Sequence, residues 1–125
     1  MVVGNGVDII DIDRIRIIIS KNPRFLERNF TIKERELFQE KKMHPATIAA
    51  GYAAKEAVAK AMGTGIRGFN LIDIEVLRDS LGKPFVILYE NAKVVAASKG
   101  IDVFEISLSH TDGTAIAFAI ALNKS

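Results

Sequence analysis

The sequence has no cysteine and no tryptophan, three prolines, two histidines and no long apolar run. Without cysteine there is no thiol nucleophile, no disulfide and no zinc–thiolate centre. The lack of disulfides fits a reducing compartment. No stretch approaches the roughly 18 apolar residues that a helix needs to cross a bilayer. The opening MVVGNGVDII has neither the basic start nor the small-residue cleavage site of a secretory signal. The expectation is a cytoplasmic chain that makes no use of a membrane. Phosphate-binding fingerprints are also missing: there is no GxxxxGK[ST], and no GxGxxG opens a helix after a strand. Gly63-Thr64-Gly65 therefore reads as a helix stop and tight turn, which can still approach a ligand.

What is there suits one globular domain over residues 1–125, with 49% hydrophobic and 26% charged residues. The net charge of +2 says little, but its distribution says more. Between Arg14 and Lys42 stand nine basic and four acidic side chains, a local excess that attracts nucleic acid, an anionic surface or an acidic protein unless it is only a solvated helix face.

Residues 2–10 are apolar and β-branched and predict a buried strand broken by Gly4 and Gly6. Asp11 or Asp13 is placed to cap a short helix to about Ser20. Pro23 suits the first turn of another, carrying Phe25 and Leu26. Thr31-Ile32-Lys33-Glu34 is a capping-box pattern that opens a helix to about Lys42. Pro45 starts the strongest helix, alanine-rich Ala46 to Met62, which Gly63 ends. The second half predicts a hairpin (73–78 and 85–89 about the turn Ser80–Pro84), a helix Asn91–Lys99, and a second hairpin (103–109 and 114–122). The last strand alternates Ala115, Ala117, Ala119 and Ala121 with bulkier residues, which predicts close packing with both faces buried. Strand, helices, hairpin, helix, hairpin is an α+β order with a mostly antiparallel sheet packed on a long alanine-rich helix.

Three charges interrupt that long helix: Lys55, Glu56 and Lys60. Glu56 and Lys60 share a face, with Tyr52 one turn earlier. Such a pair is a surface ion pair or, on a helix that packs this closely, a pair of charges in a cleft. Asp8 lies inside the apolar VDII, where a carboxylate is costly unless it caps the next helix, meets an arginine or binds a metal. Two carboxylates without cysteine suit a hard cation: magnesium takes one or two carboxylates, waters and substrate phosphates, and a lysine then neutralises phosphate charge. His110, at a strand end beside Thr111-Asp112-Gly113, is either a strand-edge histidine bonded to backbone or a site residue. His44 reads as an ordinary surface residue.

Taken together, Gly6-Val7-Asp8-Ile9, Arg14-Ile15, Arg24-Phe25, Glu27-Arg28, Ala53-Ala54-Lys55-Glu56-Ala57, Lys60-Ala61, Gly63-Thr64-Gly65-Ile66, Phe69, Asp73-Ile74-Glu75, Gly82-Lys83-Pro84 and Ile106–Thr111 closely resemble the holo-acyl-carrier-protein synthases. These are the small single-domain group of the 4′-phosphopantetheinyl transferases. The resemblance covers nearly the whole chain. It implies transfer of phosphopantetheine from coenzyme A to a serine of apo-acyl carrier protein in fatty acid biosynthesis, with release of adenosine 3′,5′-bisphosphate. It implies magnesium held by Asp8 and Glu56, and a homotrimer with sites at subunit interfaces. Lys60 and His110 would touch coenzyme A phosphates and serve catalysis with Glu56, and the expectation, beside the resemblance, is that Glu56 acts as the base, directly or through a metal-bound water. Lys55, Gly63 and Thr111 would line the coenzyme A site, and the Gly82-Lys83-Pro84 turn would lie near adenine, from a neighbouring subunit. Arg14, Arg24, Phe25 and Arg28 would meet the acidic helix of the carrier, which gives the basic segment a protein partner and sets nucleic acid aside.

One departure stands out. The motif commonly reads R-F-A-A-K-E-A, and here it is Gly51-Tyr52-Ala53-Ala54-Lys55-Glu56-Ala57. Gly51 removes a cation, which implies that coenzyme A affinity leans on Lys55 and its neighbours and that Gly51→Arg raises it. Two rival readings are another magnesium-dependent phosphoryl or nucleotide enzyme without a carrier substrate, and a non-catalytic oligomeric module that binds an acidic helix.

Overall fold

The computed structural model describes residues 1–65 and 67–124, so Ile66 of the Gly63–Ile66 motif lies outside the described residues. In chain order the elements are β1 (Val2–Asp11), α1 (Ile12–Lys21), α2 (Phe25–Asn29), α3 (Ile32–Glu40), α4 (Pro45–Ala61), a 3-10 turn (Leu71–Asp73), β2 (Ile74–Arg78), β3 (Pro84–Leu88), α5 (Glu90–Ser98), β4 (Val103–His110) and β5 (Thr114–Leu122). One sheet has the order β1-β5-β4 and the other is the hairpin β2-β3, and every pairing is antiparallel. The α+β class holds. Helix α4 packs across β1 and β5, and α1 lies against α4.

The predicted elements recur with small shifts. The Thr31–Glu34 capping box forms with both reciprocal bonds. Pro45 stands in the first turn of α4, where its missing N–H is no loss. Asp11 occupies the N-cap position of α1, but its side chain caps nothing, and Asp13 pairs with Arg16 instead. Pro23 precedes α2 rather than starting it, since that helix begins at Phe25.

Gly4 and Gly6 do not break β1, which runs through both. They are where the strand and α4 nearly touch. A Cβ on Gly6 would sit 2.2 Å from the Ala57 carbonyl oxygen, and one on Gly4 would sit 2.3 Å from that of Ala61. Backbone cannot yield at that distance as a flexible side chain can. Gly6→Ala is expected to cost about 1–3 kcal/mol, as overpacking does, seen as a lower thermal midpoint. An unchanged midpoint would show that the seam has room to spare.

The alanines of β5 complete that close contact: Ala115, Ala117, Ala119 and Ala121 are all buried beneath α4. The expectation that both faces of β5 are covered is corrected for the single chain. Its outer face stays open, with Ile116 and Phe118 about two-fifths exposed and Val7 and Ile9 of β1 more so. Register places Val7 opposite Phe118 and Ile9 opposite Ile116, so these four side chains form one apolar patch.

Candidate functional site

The seam between β1 and α4 builds the site. Asp8 pairs with Ala117, whose side chain is buried under α4, so Asp8 is on the helix side of the sheet. Helical spacing sets Tyr52, Glu56 and Lys60 on one stripe of α4. The Lys60 ammonium donates to the Val7 carbonyl at 2.9 Å and lies 3.3 Å from Asp8 Oδ1. The Asp8 side chain keeps 19% exposure and that of Lys60 52%, so this pair sits at a mouth open to solvent.

Glu56 is half-buried. Burial first, and the negative charge of Asp8 second, push its carboxyl above the ordinary carboxylate range; a hydrogen bond from Tyr52 and the charge of Lys60 oppose the rise. The Tyr52 phenol is raised in turn, by burial and then by the Glu56 charge, with Arg14 pulling the other way. Two carboxylates from elements far apart in the chain thus feel one another's charge. A cation between them would relieve their mutual repulsion. Among the described residues no cluster of three or more His, Cys, Asp or Glu side chains forms. The donor set is two carboxylates beside a lysine, which fits magnesium bound mainly by waters and substrate phosphates.

Other site candidates scatter. The side chain of His110 is exposed at the end of β4, its Nδ1 3.1 Å from the Thr111 carbonyl. Register sets His110 opposite Ala115 and Asp8 opposite Ala117, so His110 is two strands over and two residues along, roughly 12 Å from Asp8 by ordinary strand spacings. The Thr111 hydroxyl accepts from the Gly113 and Thr114 amides and closes the hairpin turn. Gly82 adopts φ +84°, Lys83 reaches Glu105 of β4 at 3.2 Å, and Pro84 opens β3, so this turn lies beside the β4 edge. Gly63, at φ +81°, stops α4 with the Lys99 ammonium near it. Arg14, Arg24 and Arg28 are exposed.

Two assignments need correction. Phe25 is not a free contact residue; it is buried, with its ring 5.5 Å from that of Tyr52 and 6.2 Å from that of Phe30. Lys55 does not face the seam. It is wholly buried on another side of α4, with its ammonium 2.8 Å from Glu34 and donating to the carbonyls of Leu71 and Ile74, so it has no donor to offer a phosphate. Gly51 lies one turn before Lys55 and faces the same way. A Cβ there would point at the rings of Phe38 and Phe30, at 3.5 and 3.7 Å, on the Lys55 side of the helix. An arginine at 51 would begin among these rings. Gly51→Ala, by contrast, fits at ordinary contact distance and should add about 1 kcal/mol through helix propensity, a rise of roughly 2–6 °C in melting temperature. A fall in melting temperature would mean that the ring contacts are tighter than they look.

Sequence reasoning missed two features. His44, read as an ordinary surface residue, is the N-cap of α4, its Nδ1 accepting from the Ala46 amide at 3.2 Å. Its place just before Pro45 was the available signal. Glu75 is buried in β2 and accepts from the hydroxyls of Thr31 and Tyr89, at 2.5 and 2.8 Å. Nothing local to the sequence marks those partners.

A family model described as "4'-phosphopantetheinyl transferase superfamily" matches residues 4–119. A "Holo-[acyl-carrier-protein] synthase" of Alkaliphilus oremlandii is 54% identical over 122 residues, which cover 98% of this chain and all of that protein. The structure of a Plasmodium yoelii acyl carrier protein synthase with ADP bound superposes with a TM-score of 0.91 at 34% identity, covering 100% of this chain and 98% of that one. The Helicobacter pylori holo-[acyl-carrier-protein] synthase in complex with coenzyme A superposes with a TM-score of 0.81 at 30% identity, covering 94% and 99%.

Proposed function

The chain belongs to the 4′-phosphopantetheinyl transferase superfamily, and we propose that it carries the holo-[acyl-carrier-protein] synthase activity, transferring phosphopantetheine from coenzyme A to a serine of apo-acyl carrier protein. The observation that carries the site assignment is the convergence of Asp8 and Glu56 beside Lys60 in the seam of β1 and α4.

In the proposed reaction the carrier serine oxygen attacks the β-phosphorus of coenzyme A. The bond from that phosphorus to the bridging oxygen breaks, and adenosine 3′,5′-bisphosphate leaves with the electron pair. Glu56 accepts the serine proton; its raised carboxyl makes it a stronger base than an ordinary glutamate. Lys60 offsets the charge that grows on the leaving phosphate. Asp8 and Glu56 would hold magnesium, whose contribution when bound is to polarise the diphosphate. Lys60 already sits on Asp8, so both charges are in place before substrate arrives.

Exposed Arg14, Arg24 and Arg28 form the basic face for the carrier's acidic helix, and Arg14 is close enough to Tyr52 to be felt by its phenol. Docking there brings the acceptor serine next to the seam. His110 and the Gly82-Lys83-Pro84 turn lie outside that cluster. We assign them to the coenzyme A site of a neighbouring copy in a homotrimer. The apolar patch of Val7, Ile9, Ile116 and Phe118 is the surface such assembly would cover.

The deciding assay incubates the chain with magnesium, coenzyme A and apo-acyl carrier protein and weighs the carrier. The expected result is a mass gain of one phosphopantetheine group, matched by adenosine 3′,5′-bisphosphate, and lost with Asp8→Ala. Turnover of coenzyme A without a carrier would favour the other phosphoryl enzyme, and carrier binding that Asp8→Ala leaves intact, with no mass gain, would favour the non-catalytic module.

A further inference from the structure

The turn between β2 and β3 is tied into one piece. The Asp79 carboxylate accepts from the Leu81 and Lys83 amides, at 2.9 Å each. The Asp79 amide donates to the Lys83 carbonyl at 2.9 Å and the Gly82 amide to the Asp79 carbonyl at 3.0 Å. The Arg78 guanidinium adds a bond to the Gly82 carbonyl at 3.2 Å. Whatever holds one residue of this turn therefore sets the place of all of them. β3 and β4 are neighbours, yet they belong to different sheets, so no ladder of backbone hydrogen bonds fixes the hairpin against β4. Apolar packing between them is non-directional and does not set an offset. The directional link is a side-chain one: the Lys83 ammonium donates to Glu105 Oε1 at 3.2 Å. Among the described residues this is the ion pair that joins the hairpin to β4. Glu105 stands on the same strand as His110, five residues before it. The two pieces assigned above to a neighbouring copy's coenzyme A site thus hang from one strand, His110 directly and the turn through Glu105.

We propose that Glu105 is a positioning residue for coenzyme A: by holding Lys83 it keeps the Gly82-Lys83-Pro84 turn at a fixed offset from His110, so that the adenine end and the phosphates of one coenzyme A are met together. The inference rests on the reading of that turn as part of the coenzyme A site. Both side chains of the pair are more than half exposed, so it adds little to stability and its effect falls on placement. The opposing reading has the opposite sign. Glu105 is an anion near the site of an anionic ligand, and if it only occupies Lys83, removing it frees a cation and strengthens binding.

The test is Glu105→Ala, which removes both the charge and the acceptor. Two inhibitors are measured against coenzyme A: adenosine 3′,5′-bisphosphate, which carries the adenine, and inorganic pyrophosphate, which does not. Glu105→Ala should weaken the bisphosphate by roughly two- to fivefold, the range of an exposed pair, and raise the KM for coenzyme A alike. Turnover number, melting temperature and inhibition by pyrophosphate should stay at wild-type values. At about 1 M salt the wild type and the variant should converge, because screening loosens the pair in both. Bisphosphate that binds Glu105→Ala as tightly as the wild type, or more tightly, overturns the positioning role. An equal loss for pyrophosphate also overturns it, since the whole site is then disturbed rather than its adenine end. Lys83→Met separates the layers of the argument. If it weakens the bisphosphate while Glu105→Ala does not, the turn keeps its place in the site and only the role of Glu105 falls. If neither variant changes bisphosphate binding, the reading of the turn falls and takes the proposal with it.

Discussion

Glu56→Gln should lower turnover by about 10²–10⁴-fold, the usual worth of a positioned general base, while changing coenzyme A affinity far less. Glutamine keeps the shape of the side chain, so the helix and its stripe should stand. What disappears is the negative charge and the ability to take a proton. Coenzyme A is itself an anion, and most of its binding is expected from cations and loop backbone rather than from a carboxylate, so its dissociation constant should move little. Equal losses in turnover and in coenzyme A binding would reduce Glu56 to a ligand. The pH profile supplies a second check. Burial and Asp8 raise the Glu56 carboxyl, so as pH falls it gains its proton before an ordinary carboxylate would. Activity should therefore decline on the acid side from a pH above 4.5, with kcat/KM falling tenfold per unit below the Glu56 value. In Glu56→Gln that limb should be absent, and the remaining activity should be flat over the same range. A glutamine variant that retains the limb would assign it to another group.

How much of this was legible beforehand depends on where the information lies. The α4 stripe was legible because helical spacing is local: Tyr52, Glu56 and Lys60 face one way whatever surrounds them. Asp8 was legible because a carboxylate inside VDII conflicts with its neighbours and demands a partner. The purpose of Gly4 and Gly6 was not. A glycine in a strand reads as a weak point, and only the crossing of α4 shows that any side chain there would strike backbone. Lys55 was misread for a related reason. Lys55 and Glu56 are adjacent, yet a helix turns by about 100° per residue, so one charge enters the seam and the other enters the core. The motif identifies both and says nothing of which is which. The open face of β5 has the same origin, since alternation reports two faces without saying whether the chain itself covers them.

The second large effect concerns that core charge. Lys55→Met should cost about 3–5 kcal/mol, as expected when one member of a buried pair is removed and the other is stranded. For a chain of this size that is a drop of roughly 10–20 °C in melting temperature. The pair is enclosed, and burial dominates both partners: it raises the Glu34 carboxyl despite Lys55 and lowers the Lys55 ammonium despite Glu34. A pair under that strain would ordinarily be replaceable by hydrocarbon at little cost. Here it is not, because Glu34 also accepts from the Thr31 and Val76 amides, at 2.9 Å each, and Lys55 donates to the Leu71 and Ile74 carbonyls. The two side chains join α3, α4 and β2 through four backbone groups, each costing about 1–3 kcal/mol when left buried and unpaired. The double variant Glu34→Leu/Lys55→Met should therefore be no more stable than Lys55→Met. The pH dependence gives the cause away. In Lys55→Met the stranded Glu34 has its folded value raised further above the unfolded one. Its protonated form is thus favoured in the folded chain, and stability is fully present below the unfolded value near 4.5 and lost as pH rises through the folded value. Melting curves of the variant and the wild type at pH 5 and pH 8 should show the deficit narrowing at the acid value. A deficit of equal size at both would mean that the cost is lost packing of the lysine stem rather than the charge left behind.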